Sequence, residues 1–311
     1  MRSRMFTRPL AAVAFASTLL AGATPAWAAN HGKPGGGGGG SAQPAGIDVS
    51  YPQCPGTSLP SGEAFAIVGV NGGLANDYNS CLGAEFAYAQ QSAGGTKQAL
   101  AQLYLNTADP GNSVADWPSP TQLGAYASAS TPDGDCGYAS GPSGPGANSP
   151  ACAYIYGFDM VAGIAYSGGD IVGDLSDFNS VTGGRLFNYP VWLDVETGNS
   201  WQSSSVPDGL AMNIADLQGM VDAVNAAAQA ATGSPAHQIG IYSTSYQWNQ
   251  ITGTPTGAAA GNLASLPDWV PGARGESGAV SDCSLAPFTA GGVEITQWAG
   301  HPYDGDYSCI G

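Results

Sequence analysis

The sequence is poor in charge and very poor in basic residues. Only 10% of its 311 residues are charged, with seven Lys and Arg against 23 Asp and Glu. Three of the seven basic residues lie within the first eight positions, so a chain cut after residue 28 keeps four against all 23 acids, a formal charge of −19. Such a surface repels phosphate backbones and anionic lipid, so we expect neither nucleic acid nor a membrane as a partner of the mature protein.

The signatures of several common chemistries are missing. The three histidines stand apart without ligand spacing and no C-x-x-C pair occurs, so we predict no metal site and no cofactor. No G-x-S-x-G motif is present, which disfavours a serine hydrolase of that type. The glycine run at 35–40 does not join a strand to a helix, as a phosphate-binding loop would.

The first 28 residues have the features of a secretory signal. Arg2, Arg4 and Arg8 accompany a short apolar stretch over 11–23, and Ala26-Trp27-Ala28 supplies small residues at the cleavage positions. A membrane anchor is the alternative, but the apolar stretch is shorter than the ~20 residues that a span needs. We therefore expect an exported protein, either extracellular or associated with the cell wall.

The remainder of the chain divides into a tether and one domain. Residues 29–45 contain six consecutive glycines and are predicted to be a flexible tether. Residues 46–311 have the length of one barrel-sized domain, which we expect to be a monomer. A stretch around 110–150, rich in Ser, Pro and Gly, is predicted to be a long surface insertion.

All six cysteines follow the predicted signal. An even number of cysteines in an exported chain indicates three disulfides. Six cysteines allow 15 pairings, and the sequence does not select one of them. Pairing of sequence neighbours would join Cys54 to Cys81, Cys136 to Cys152 and Cys283 to Cys309.

Strand-like and helical segments alternate along the domain. Seven short apolar runs have the pattern of strands buried on both faces of a parallel sheet. They cover 46–50, 65–70, 103–106, 190–196, 239–243, 268–270 and 293–298. Helices are predicted over 82–89, around Met160 and Ile164, and over 210–228, where Gly233 follows as a stop. This alternation and the domain length predict an α/β fold, a TIM-like (β/α) barrel rather than an open sheet.

Three carboxylates fall at the ends of predicted strands, where barrel enzymes hold their active sites. Asp48 lies near the end of the first strand, and Asp194 and Glu196 end the strand at 190–196. Side chains alternate along a strand, so Asp194 and Glu196 point the same way, ~6.6–6.8 Å apart along the backbone. Mutual repulsion should raise the pKa of at least one acid, as a general acid requires. Paired carboxylates without metal ligands fit glycoside hydrolysis.

Each acid also has a structural alternative. Asp48 could cap a helix after the first strand, and Asp194 could bond to the backbone of a neighbouring loop. The sequence around Asp194 and Glu196 is apolar, so burying two acids there without a purpose would be costly. We therefore favour catalysis.

Together with other segments, these residues resemble the family 25 glycoside hydrolases, the secreted lysozyme-type muramidases. The segment Gly46-Ile47-Asp48-Val49-Ser50 resembles the opening of the family, and Asp194-Val195-Glu196 its D-x-E at a strand end. The later matches follow in the family's order, at Ile241-Tyr242-Ser243, Trp269, Gln297-Trp298 and Asp306-Tyr307. The family fold is an irregular barrel with five (β/α) units and additional strands.

The resemblance implies a role for each matched residue. Glu196 would be the general acid, Asp194 would orient the substrate's N-acetyl group or stabilise the oxocarbenium-like centre, and Asp48 would bind or tune near the scissile bond. Asp306 is the match for the last acid of the family. The residues implied to line the sugar cleft are Tyr104, Trp269, Gln297 and Trp298.

Three segments depart from the family pattern. Asn71-Gly72-Gly73 stands where a Lys is common, Asn106 stands where the third strand usually ends in Tyr-His, and Val270-Pro271-Gly272-Ala273 lacks the expected aromatic or acid. We predict a hydrolase that cleaves peptidoglycan glycan strands. The alternatives are a non-catalytic glycan-binding envelope protein on the same barrel, or a hydrolase of another polysaccharide.

The remaining tryptophans receive no role. Flat rings pack on the C–H faces of sugars, but most Trp residues in any domain are core or rim residues. Trp117, Trp201 and Trp248 carry no motif. Glu63 is expected to lie in a surface loop.

Overall fold

Eight strands close into one barrel in the computed structural model of the protein. The structure describes residues 45–49, 59–75, 79–114, 116–118, 131–137, 145–162, 189–236, 238–300 and 302–311. These residues belong to one compact unit, 42–311. The predicted signal and the predicted tether lie outside the described ranges, apart from Ala45.

The strands follow one another around the barrel in chain order. They are β1 Gly46–Val49, β2 Ala66–Gly69, β3 Ala101–Asn106, β4 Val191–Asp194, β5 Ile239–Tyr242, β6 Asp268–Ala273, β7 Val293–Trp298 and β8 Asp304–Ser308. Strands β1 to β7 pair in parallel, whereas β8 pairs antiparallel with both β7 and β1 and so closes the barrel. The predicted irregular (β/α) barrel is confirmed, and β8 is a strand that the hydrophobic pattern missed.

Five α-helices lie in the described part of the chain. They are α1 Leu82–Ala89, α2 Pro150–Ala162, α3 Gly209–Thr232, α4 Ser245–Thr252 and α5 Gly275–Asp282. The predicted helices at 82–89 and 210–228 are confirmed, and Gly233 ends α3 with a positive φ of 75°, which glycine adopts without strain. Helix α2 contains Met160, while Ile164 lies outside the described residues. None of the described helices is long and apolar enough to cross a membrane.

Apolar side chains form two main layers around the barrel wall. The larger cluster fills the space between the strands and the helices, and includes Leu103, Leu193 and Val221. The smaller cluster fills the barrel interior, and includes Phe65, Trp192 and Ile295. Because the strands are covered on both faces, their sequences are nearly continuous apolar runs.

The predicted insertion packs against α2 and α3. Trp117 is buried and stacks on Tyr156 of α2, with ring centroids 5.4 Å apart. The disulfide between Cys136 and Cys152 joins the insertion to α2. The predicted surface insertion is therefore not wholly exposed, because its described part contains the buried Trp117.

Two of the pairings between neighbouring cysteines are confirmed. Cys136 bonds to Cys152, and Cys283 bonds to Cys309. Cys81 is also disulfide-bonded. Its predicted partner, Cys54, lies outside the described residues.

Candidate active site

A cavity of about 280 Å³ lies at the carboxyl ends of the parallel strands. Six of the predicted site residues line it, namely Asp48, Tyr104, Asp194, Glu196, Trp269 and Gln297. Four further residues complete the lining, namely Gly73, Asn106, Tyr242 and Asp304. This is the end of a (β/α) barrel at which active sites are built, because the strand-end loops converge there.

Strand register explains why the acids converge. Asn106 of β3 is the Cα partner of Asp194 of β4, which in turn is the partner of Tyr242 of β5. Residues in register on parallel strands point to the same face of the sheet. The three side chains therefore stand side by side at the last level of the barrel interior. Glu196 follows two residues later, in the loop beyond β4.

A hydrogen-bonded chain of three side chains fixes Asp48. The Nε2 of Gln297 donates to Oδ2 of Asp48 over 2.7 Å. The hydroxyl of Tyr242 donates to Oε1 of Gln297 over 2.9 Å. The amide of Gln297 thus has both ends occupied, and it holds the Asp48 carboxylate against the cavity wall. The segment after β1, where a helix capped by Asp48 would begin, lies outside the described residues.

Asp306 lies beneath this chain rather than in the cavity lining. Its side chain is fully buried, and its Oδ1 accepts from Nε1 of Trp269 over 2.8 Å. Burial raises the pKa of Asp306 well above its usual range, and the charge of Asp48 and a side-chain hydrogen bond to Asp48 raise it further. Asp306 therefore holds its proton to higher pH than an ordinary aspartate does.

Asp194 and Glu196 occupy different environments although they are only two residues apart. Asp194 is buried, and its Oδ1 has no hydrogen-bond partner among the described residues. Burial raises the pKa of Asp194 well above its usual range, with smaller contributions from the charges of Glu196 and Asp48. The raised pKa predicted for the acid cluster is found at Asp194. Glu196 is only half-buried, at the rim of the cavity.

The backbone around the two acids is held by neighbouring loops. The Thr107 hydroxyl donates to the backbone oxygen of Asp194 over 2.6 Å. The indole Nε1 of Trp201 donates to the backbone oxygen of Glu196 over 2.8 Å. Trp201, which carried no motif, therefore positions the loop that presents Glu196. Its place five residues after Glu196 was the only sequence signal available.

Aromatic rings form the floor of the cavity. Trp269 contacts Tyr242 edge to face with ring centroids 4.5 Å apart, and Tyr104 with centroids 6.4 Å apart. Trp269 is only 2% exposed, so its ring is a packed floor rather than a free stacking platform. Trp298 lies at the end of β7, outside the lining of this cavity, where its half-buried indole packs over Gly305 of β8.

Two residues that line the cavity, Asn106 and Asp304, were not among the site residues predicted from the sequence. Asn106 is 7% exposed, and its Nδ2 has no hydrogen-bond partner among the described residues. Asp304 brings a further carboxylate to the mouth, two residues before Asp306 on β8. Asp304 and Asp306 follow the same alternation as Asp194 and Glu196, but the signal was lost because β8 was not recognised.

The interpretation of Glu63 as a surface-loop residue is wrong. Glu63 is only 9% exposed, and its Oε1 accepts from Ser92 Oγ over 3.4 Å. The segment after α1 folds back onto it, with Ala93 N donating to the backbone oxygen of Glu63. Trp117 and Trp248 are buried core residues.

The described residues contain no group of three or more His, Cys, Asp and Glu side chains arranged to hold a metal ion. The carboxylates that line the mouth, Asp48, Asp194, Glu196 and Asp304, are instead surrounded by aromatic rings and amides. Such a site can transfer protons and stabilise a developing positive charge, which are the two tasks of carboxylates in glycoside cleavage.

Three solved structures resemble the chain. The bacterial lysozyme from Streptomyces coelicolor has 16% identity and a TM-score of 0.40, and the match covers 86% of this chain and 93% of that one. The muramidase from Trichobolus zukalii has 15% identity and a TM-score of 0.41, covering 85% and 92%. A family GH25 lysozyme from Aspergillus fumigatus has 14% identity and a TM-score of 0.38, covering 85% and 92%.

Comparison by sequence found no relative. No protein-family model matches the chain, and no curated protein matches it. The three structural likenesses are distant, so roles for residues rest on the geometry of the cavity.

Proposed function

We propose that the protein is a glycoside hydrolase that cleaves the glycan strands of peptidoglycan by carboxylate acid catalysis. The observation that carries this proposal is the convergence of Asp48, Asp194 and Glu196 on one cavity at the carboxyl ends of the barrel strands. Burying mutually repelling acids costs free energy, and such groups cluster where chemistry requires them.

Glu196 is the proposed general acid. It is the half-buried member of the D-x-E pair and stands at the rim of the cavity, where it can regain a proton from solvent between turnovers. In glycoside cleavage a carboxylic acid protonates the leaving oxygen while a second carboxyl group assists at the sugar centre. The indole bond from Trp201 to the backbone of Glu196 keeps its loop in place for that transfer.

Asp194 is the proposed partner at the sugar centre. Its buried position keeps a proton on the carboxyl group to higher pH than for an ordinary aspartate, and the neutral form can donate to an N-acetyl oxygen. When ionised, the same group can stabilise an oxocarbenium-like centre. Asp48, held by Gln297, is proposed to bind and tune near the scissile bond.

The substrate class rests on the motif resemblance together with the site chemistry. The matches from Asp48 to Asp306 resemble muramidases, whose substrate is the cell-wall glycan. Asn106 adds an amide donor without a partner among the described residues, suited to an N-acetyl or hydroxyl oxygen of a sugar. The predicted signal and the disulfides fit a protein that is exported and acts outside the cell or at the wall.

The test is release of new reducing ends from purified peptidoglycan by the secreted protein. A peptidoglycan hydrolase produces reducing sugar and clears the turbid suspension. A non-catalytic binding protein sediments with the wall material and releases nothing, and a hydrolase of another polysaccharide acts on chitin or cellulose but not on peptidoglycan. Exposed Glu276 on α5 provides the matched control, since Glu276→Gln removes an acid that does not line the cavity.

A further inference from the structure

A second cavity, of about 220 Å³, lies beside the catalytic cavity at the same end of the barrel. Three successive strand-end loops contribute to both. Gly73 lines the catalytic cavity and Leu74 lines the second one. The loops after β3 and β4 repeat this arrangement with Asn106 beside Ala108 and Glu196 beside Gly198. Positions one or two residues apart have Cα atoms no more than about 7 Å apart, so the two cavities share a rim.

The second cavity has a different chemistry from the first. Most of its walls are aliphatic, and Leu74 remains 61% exposed beside it. Tyr156 is an aromatic residue in its lining, but this side chain is only 3% exposed and is already stacked on Trp117. Sugar rings are usually held by open aromatic faces and dense polar groups. The aliphatic wall fits methyl-sized side chains instead.

Two polar side chains in this lining, Asn199 and Asp116, indicate which polar groups the ligand carries. The Nδ2 of Asn199 is buried and has no hydrogen-bond partner among the described residues. A buried donor without an acceptor is costly, and a ligand carbonyl reached by a small rotation of the amide would relieve that cost. Asp116 adds a carboxylate, which attracts an ammonium group.

The loop from the insertion is firmly anchored where it forms the cavity wall. Asp109 N donates to the backbone oxygen of Ser200 over 2.9 Å, which ties the loop after β3 to the loop after β4. Gln202 Nε2 donates to the backbone oxygen of Asp109 over 3.0 Å. The wall is therefore part of the folded domain, and the site does not have to be assembled when a ligand binds.

We propose that the second cavity binds the peptide branch of the peptidoglycan strand. This inference rests on the proposed function, because it assigns the branch of the same substrate. A peptide branch supplies carbonyl oxygens for Asn199, small aliphatic side chains for the wall near Leu74, and, at its diamino acid, an ammonium group for Asp116. Its attachment to the glycan next to a scissile bond matches the shared rim of the two cavities.

Two variants test the proposal without disturbing the core. Leu74→Ser removes exposed apolar surface from the cavity wall, and Asn199→Ala removes the amide donor. Leu100→Ser is the matched control, because Leu100 is also exposed, at 42%, but precedes β3 at the opposite end of the barrel. Melting temperatures should stay close to that of the wild type for all three.

The first measurement compares kcat/KM on intact peptidoglycan with kcat/KM on the same material stripped of peptides by an amidase. We expect the wild type to prefer intact material by roughly tenfold, and each cavity variant to lose most of that preference, in line with the loss of one hydrogen bond or one buried apolar contact. Leu100→Ser should keep the preference. Equal wild-type rates on the two substrates would overturn the proposal.

The second measurement uses the soluble tripeptide Ala-γ-Glu-Lys as a probe, with binding followed by NMR titration. We expect binding to the wild type and to Leu100→Ser, and binding about five- to tenfold weaker for Asn199→Ala. Binding without any wall hydrolysis would refute the proposed function but support this site. Wall hydrolysis without peptide binding would leave the proposed function standing and overturn the site.

Discussion

The Nε2 of Gln297 on β7 donates to Oδ2 of Asp48 on β1 over 2.7 Å, although these strands are not neighbours in the barrel. Strand β8 lies between them, so the bond crosses the inner face of β8. The Tyr242 hydroxyl donates to Oε1 of the same Gln297 amide. One amide therefore ties three parts of the barrel mouth together and orients the Asp48 carboxylate.

Gln297→Leu should lower kcat/KM by roughly 10- to 150-fold. The substitution removes a hydrogen bond to a charged acceptor, which is worth about 1.5–3 kcal/mol. It should also move the acidic limb of the pH–rate profile to higher pH, because the Asp48 carboxylate loses a donor that favours its charged form. Tyr242→Phe keeps that donor and should have a smaller effect. An unchanged rate and profile for Gln297→Leu would refute the role of this bond.

Trp269→Phe should destabilise the fold by about 1–3 kcal/mol. The change keeps an aromatic ring in the cavity floor but removes the Nε1 donor to the fully buried Asp306. An unsatisfied buried acceptor has a cost of this size. Urea denaturation provides the measurement, with Trp298→Phe as a control at a half-buried indole outside the cavity. Equal stability of the two variants would contradict the account.

Asn106→Leu should raise KM while leaving stability unchanged or slightly higher. The Nδ2 of Asn106 has no partner among the described residues, so its removal relieves an unmet donor in the free protein. The same donor is available to a sugar oxygen in the cavity, so substrate binding should weaken about five- to tenfold. Steady-state kinetics and thermal unfolding on the same preparation test both parts, and a lower melting temperature with unchanged KM would contradict the prediction.

Stability should fall as the pH rises from about 4 to about 7. Burial raises the pKa of Asp109 to about 7, and it also raises the pKa of Asp216 well above its usual range. In the unfolded chain these acids lose their protons near pH 4, so the folded state binds more protons throughout this window. The stability that comes from these two protonated acids is fully present below about pH 4 and is lost as the pH approaches 7.

Asp109→Asn should remove much of that pH dependence. The amide cannot ionise but can still accept from Gly111 N, as Asp109 Oδ1 does over 3.0 Å. The variant should be more stable than the wild type at pH 8 by up to about 4 kcal/mol, and equal to it near pH 3. Glu276→Gln should follow the wild-type curve. Parallel curves for Asp109→Asn and the wild type would rule out this origin of the pH dependence.

Hydrophobic periodicity was enough to predict the barrel but not all of its elements. The apolar runs of β2 and β4 are buried as their patterns predict, and the apolar stripe along α3 is buried from Leu217 to Ala228 but only half-buried at Leu210 and Ile214. Strand β8 was missed because the residues on its inner face are Asp304, Asp306 and Ser308 rather than apolar side chains. Helices α4 and α5 were missed because each has only eight residues: α4 has the short apolar pair Trp248 and Ile251, and on α5 Ala279 is the buried residue.

The part of the candidate site that lies at the ends of strands could be predicted from the sequence. The positions of Asp48, Asp194 and Glu196 follow from alternation along β1 and β4, which needs no tertiary information. The unequal burial of Asp194 and Glu196 depends on Asn106 and Tyr242 flanking only the first of them. Such contacts are non-local, as is the loop that covers Glu63, and a local pattern cannot predict them.

The central claim is that Glu196 transfers a proton to the glycosidic oxygen. Glu196→Gln keeps the size and hydrogen-bonding capacity of the side chain but removes the transferable proton. Binding to the wall should persist, because the aromatic floor and the second cavity are untouched. The melting temperature should hold or rise slightly, since one of three neighbouring acids has been neutralised.

The most direct measurement is therefore the rate of reducing-end release from purified peptidoglycan by the wild type, Glu196→Gln and the control Glu276→Gln. General acid catalysis is typically worth ~10²–10⁴ in rate, so the rate for Glu196→Gln should fall by about that factor while Glu276→Gln matches the wild type. A wild-type rate for Glu196→Gln, measured where the wild type hydrolyses the wall robustly, would contradict the assignment of the acid.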